Sequence, residues 1–130
     1  MEHVEFEKKL MKMLLSGDDE VLNKLRKQYE VAKIASREFS DAGFYTSFLV
    51  ENRNDLCIKN KSFHIGDVDG NIDGIEGAVG FVLYVKNGYI TLLEGYTNAV
   101  DTWPKSYDEI VLSYDSGEIR NIENLRTKWV

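Results

Sequence analysis

Residues 63–77, FHIGDVDGNIDGIEG, hold most of the side chains in this chain whose types and spacing could do chemistry. Asp67, Asp69, Asn71 and Asp73 recur at alternate positions and Glu76 follows, an oxygen-rich set of the kind that holds a hard cation. An EF-hand loop needs Gly at its sixth position and a bidentate Glu at its twelfth, and those positions are Ile72 and Ala78. The segment therefore reads as a turn-rich acidic strand, with a looser cation site as the alternative. His64 next to two aspartates has the donor types of a transition-metal site, but in a regular strand it points away from both. No metal ligand is assigned, and no cofactor is expected. Cys57 is the one thiol, set between Leu56 and Ile58 without a nucleophile motif, and reads as a small hydrophobe. The glycines from Gly66 to Gly80 are not followed by a helix or by a Lys-Ser/Thr pair, so they make no phosphate loop.

The element that must position these groups is residues 78–96, AVGFVLYVKNGYITLLEGY, where Asn87-Gly88 between two apolar runs predicts a two-residue hairpin. With Lys86 opposite Tyr89 and no irregularity, Tyr84 faces Thr91, Phe81 faces Glu94 and Gly80 faces Gly95. Glu94 then lies on the core face with Phe81, Leu83, Val85, Ile90 and Leu92. A carboxylate in that position would act as an acid with a second carboxylate, as in glycoside hydrolysis, or pair with Arg37 or another base, unless the sheet twists open and exposes it. The paired glycines would leave bare backbone open to a ligand or another chain.

Earlier in the chain, Phe6, Leu10, Met13 and Leu14 form one helical stripe and Leu22, Leu25 and Tyr29 another. They are joined through Ser16-Gly17-Asp18, with an aspartate of the Asp18-Asp19-Glu20 cluster as cap. The runs at 31–39 and 43–50 read as a second hairpin, with Phe44, Thr46, Phe48 and Val50 on one side. In 63–72, Ile65 and Val68 have opposite parity, which places a bulge or bend at Gly66. Residues 109–115 form a last strand, and 116–130 are open to a helix or a short strand. Trp103-Pro104, flanked by Asp101 and near Tyr96 and Tyr107, either plugs the end of the sheet or presents aromatics to a partner.

The chain has 130 residues, 43% apolar and 29% charged, enough for one domain with one core. Its net charge of −6 is regional, since residues 1–66 carry 11 acids and 11 bases and residues 67–130 carry 11 and 5. That balance disfavours nucleic acid and favours a basic protein or a cation. A lone cysteine and the absence of a membrane-length apolar run or secretory pattern lead to the expectation of a cytoplasmic protein.

The ordered set SREF at 36–39, GFYTSF at 43–48, IGDV at 65–68, GFVLYVKNGYITLLEGYT at 80–97 and Trp103-Pro104 resembles a family of small bacterial cytoplasmic proteins. The resemblance spans about residues 4–114 and implies no activity. Small acidic proteins of this sort are also similar to immunity proteins, which neutralise a toxin by binding it. Together these readings predict an α+β domain, an N-terminal helical hairpin packed on a mostly antiparallel sheet of five to six strands. The expected function is non-enzymatic binding of a basic protein through Asp67, Asp69, Asp73, Glu76, Asp101, Trp103 and Tyr107. The alternatives are a small hydrolase or metal-dependent enzyme using Glu94 or the carboxylates of 67–76, and a homodimer.

Overall fold

The two apolar stripes at the start of the chain become helices because each has one face to bury. In the computed structural model, which describes residues 1–51, 53–59 and 61–129, these are α1 (His3–Leu14) and α2 (Glu20–Val31). Asp19 caps α2, its Oδ1 accepting from the amides of Val21 and Leu22 at 2.8 and 3.1 Å. Arg126 holds the other oxygen of the same carboxylate at 2.7 Å.

Among the described residues seven strands follow: β1 (Lys33–Ser40), β2 (Gly43–Leu49), β3 (Phe63–Ile65), β4 (Val68–Ile72), β5 (Ile75–Lys86), β6 (Tyr89–Thr97) and β7 (Val111–Tyr114). They form one antiparallel sheet in the order β1-β2-β6-β5-β4-β7, with β3 pairing β5 beyond the end of β4. The chain is thus α+β with the helical hairpin packed on one face of the sheet. The strand count exceeds five to six because the polarity change at Gly66 separates two strands. Ile65 and Val68 are both fully buried, and the break at Gly66-Asp67 lets residues of opposite parity face one core. The ambiguous tail resolves as the short helix α3 (Ile122–Arg126).

The hairpin turn forms as expected, with φ of 52° at Asn87 and 87° at Gly88. Gly88 has a second constraint, because a Cβ there would come within 2.4 Å of Cys57 Sγ. The register beyond the turn is corrected, however. Val85 faces Ile90, but Tyr84 faces Leu92, so Thr91 is a bulge and every later pair shifts by one. The cause lies in the core: Ile90 and Leu93 have opposite parity and are both fully buried, which a regular strand cannot achieve. Glu94 consequently faces Val82 on the face away from the helices, and Gly80 faces Tyr96 while Gly95 faces Phe81. Neither glycine offers bare backbone. The Tyr96 ring covers Gly80, and Phe44 with Trp103 covers Gly95.

The core lies between the helices and the inner sheet face, built from Phe6, Leu10 and Leu14 of α1, Leu22 and Leu25 of α2, and Phe44, Phe81, Leu83 and Leu93 of the strands. Two buried polar side chains lock this interface. Gln28 of α2 donates to the Leu56 and Gly88 carbonyls at 2.6 and 2.8 Å and accepts from the Ile90 amide at 2.9 Å, which satisfies the backbone beside the hairpin turn. Glu7 of α1, 2% exposed, accepts from Thr46 at 2.6 Å and from Arg37 at 2.9 and 3.2 Å, and bonds His3 Nε2 at 2.9 Å. No helix among the described residues is long and apolar enough to cross a membrane.

Candidate partner-binding face

Because α1 and α2 reach the sheet through its inner side, the alternate residues of the strands form an outer face that can be read row by row from the register. One row runs Glu38, Tyr45, Glu94, Val82. The next runs Ser36, Ser47, Leu92, Tyr84, His64, and on the other side lies Ser40, Gly43, Tyr96, Gly80, Asp69, Ser113. Tyrosine, serine and carboxylate dominate, a composition that supplies rigid amphipathic area and adaptable hydrogen bonds at interfaces. Lys33 and Lys86 stand at the hairpin end of this face, and Lys33 is paired with Glu51 at 3.0 Å.

Glu94 is the centre of the array. Its Oε2 accepts from the Tyr45 hydroxyl at 3.2 Å and its Oε1 from the Tyr84 hydroxyl at 3.0 Å. The charge of Glu94 pushes the Tyr45 phenol up; burial first, then the bond to Glu94, does the same to Tyr84. Tyr96 is also pushed up, by burial and then by Asp69 and Glu94. These phenols stay protonated and able to donate. The environment of Glu94 therefore differs from the core site that a regular register gives it, and Arg37, one of the bases considered as its partner, is committed to Glu7.

The β7 end of the face opens into a cleft of about 630 Å³ lined by Asp69, Glu76, Asp115 and Glu118 together with Asn71, Ser113 and Tyr114. Among the described residues none that line it is basic. Asn71 sets the floor, donating to Ser113 at 3.0 Å and accepting from the Gly77 amide at 2.9 Å. Burial, then the charges of Asp115 and Asp67, raises the pKa of Asp69, so this site holds negative charge at a cost that a bound cation would offset.

The structure divides the seven residues named from sequence. Asp69 and Glu76 share the cleft, and Asp73 is exposed at the β4–β5 turn, where it takes a φ of 48°. Asp67 is 8% exposed and held bidentately by Arg120 at 2.8 and 2.9 Å; the same guanidinium caps the end of α1 through the Met13 and Ser16 carbonyls. That aspartate is therefore largely buried in an ion pair, apart from the exposed carboxylates. Trp103 packs edge-on against Phe44 and Phe81 at 5.6 and 6.0 Å, so it plugs the inner side; its buried Nε1 has no hydrogen-bond partner among the described residues. Tyr107 also lies on the inner side, stacked on Phe6 and joined to His3 Nδ1 at 2.5 Å. Asp101 is exposed in the loop before Trp103, apart from the cleft lining.

Asp115, Glu118, Tyr45, Tyr84 and the outward placement of Glu94 were not reached from sequence. The signal for the last was the Leu92-Leu93 doublet, which breaks the alternation of the strand. His64 stands on the outer face with its ring 6.2 Å from that of Tyr84, while Asp67 turns to Arg120, so the two do not converge. Cys57 is half-buried, its Sγ 3.6 Å from the Asn87 carbonyl. Among the described residues no group of three or more His, Cys, Asp or Glu is placed to hold a metal ion. Comparison with protein-family models, with curated proteins and with solved structures gave no match for this chain.

Proposed function

We propose that this protein is a non-enzymatic binding module that takes a basic protein on its outer sheet face and the adjoining acidic cleft. The immunity-type reading, in which the partner is a toxin domain neutralised by being covered, is its most concrete form. The observation that carries the proposal is the cleft with Asp69, Glu76, Asp115 and Glu118 and no basic side chain among its described lining residues, continuous with the tyrosine and Glu94 array. A face of one sign steers a partner of the opposite sign, and central tyrosines slow its release. The similarity of small acidic proteins of this sort to immunity proteins supports this reading by analogy, and the cytoplasm is the compartment proposed with it. Self-association through the same face is disfavoured by like charge. Edge pairing through β1 is opposed by its bulge at Ala35 and by Arg37 and Glu38.

The test is retention of a partner from native cell extract by the tagged protein and by Asp69→Lys/Glu76→Lys, with the tag alone as control. One stoichiometric basic protein, held by the wild type and lost by the variant, is the expected result. A partner held equally by both proteins would show that the face is wrongly chosen.

A further inference from the structure

Within the outer face one spot is built to receive a particular side chain. Glu94 sits on β6, third strand of the β1-β2-β6-β5-β4-β7 path, so it is near the middle of the face, where hot spots form and a surrounding rim excludes water. Each of its oxygens accepts one tyrosine hydroxyl, Tyr45 on Oε2 and Tyr84 on Oε1. A carboxylate oxygen can accept about two such bonds, so among the described residues one acceptor position remains on each. Two equivalent free positions on one carboxylate match the two parallel N–H groups of a guanidinium. The hydroxyls fix the carboxylate in advance, which lowers the ordering cost of binding. Tyr45 and Tyr96, 43% and 36% exposed, flank the site with phenol rings on which a planar cation can stack. An ammonium would use only one acceptor and would stack less well.

We infer that Glu94, oriented by Tyr45 and Tyr84 and flanked by Tyr96, is an arginine-anchoring site, and that the basic partner inserts an arginine there while the cleft attracts its remaining charge. This inference rests on the reading of the face as a basic-partner surface and adds its specificity element.

Anisotropy titrations of the intact protein with labelled nona-arginine and nona-lysine peptides, at about 0.1 M salt to limit nonspecific attraction, separate the two levels. The wild type is expected to bind nona-arginine roughly tenfold tighter than nona-lysine, in line with the difference between a bidentate and a point-charge partner. Glu94→Gln, isosteric and at a surface position, should erase that preference by weakening nona-arginine alone, with far-UV circular dichroism unchanged. Tyr84→Phe should reduce the preference in part. Asp69→Asn/Glu76→Gln should weaken both peptides equally. Failure of the wild type to bind nona-arginine, or a preference that survives Glu94→Gln, overturns the anchor. If the cleft variant weakens both peptides while Glu94→Gln changes nothing, the anchor falls and the acidic-face reading stands; if neither variant alters either affinity, both fall.

Discussion

Replacing Glu7 with glutamine isolates the energetics of the buried network that ties α1 to the sheet. Burial by itself raises the pKa of Glu7, but hydrogen bonds from His3, Arg37 and Thr46 and the charge of Arg37 outweigh it and bring the carboxyl from 4.5 to about 2. At 1.36 kcal/mol per unit of pKa, that shift corresponds to about 3 kcal/mol of native-state stabilisation. The sign follows from the depressed folded value. The contribution is complete above the unfolded value near 4.5, declines as pH falls toward about 2, and is gone once both states are protonated. Glu7→Gln keeps the shape and removes the charge, so it should be about 3 kcal/mol less stable than wild type at pH 7, with the gap closing as pH approaches about 2. Urea unfolding followed by circular dichroism measures it: with a slope of about 1–3 kcal/mol per molar urea, the midpoint should drop by roughly 1–3 M at pH 7. Taking the difference between the two proteins cancels other carboxylates, including Asp19, whose pKa is also lowered. A gap that stays constant from pH 7 to about pH 2.5, or the absence of one at pH 7, would refute the reasoning.

Other perturbations test other joints. Gln28→Leu strands the Ile90 amide and removes a donor from the Leu56 and Gly88 carbonyls, so it should cost about 2–4 kcal/mol in urea unfolding despite its added apolarity. Arg120→Met leaves Asp67 buried without its partner and uncaps the end of α1; a loss of about 3–5 kcal/mol is expected by thermal or urea denaturation. Deleting Thr91 brings Ile90 and Leu93 to the same parity, so both can face the core in a regular strand with the Tyr84–Leu92 and Leu83–Leu93 pairs kept; the variant should lose less than about 1 kcal/mol in urea unfolding, and a loss of several kcal/mol would show that the bulge itself is required.

The helices, the Asp19 cap and the Asn87-Gly88 turn were legible because each depends on neighbours in sequence: apolar residues at helical spacing, a short side chain before free amides, two residues that accept positive φ. The break at Gly66 was legible for a similar reason, since Ile65 and Val68 could not share a face without it. The bulge at Thr91 was not read, although the same parity argument applies to Ile90 and Leu93. Leu92 stood in for Leu93 in the alternation and hid the slip. That one residue moved Glu94 from the expected core position to the centre of the outer face. Two of the four cleft carboxylates could be named in advance, because Asp69 and Glu76 are close in sequence. Asp115 and Glu118 reach the cleft only through the pairing of β4 with β7, and Tyr45 reaches Glu94 only through that of β2 with β6. Asp67 shows the converse: its type suggested a contact, and its use was decided by Arg120, 53 residues later.

The outer face as the partner surface is tested most directly by where a bound partner touches. A photoreactive phenylalanine analogue at Tyr96, on the outer face, and at Lys9, exposed on α1, would be compared by irradiation in cells of the native background followed by mass spectrometry of the adducts. A basic protein crosslinked from position 96 and absent from position 9 is the expected result. A partner crosslinked from position 9 alone would contradict it.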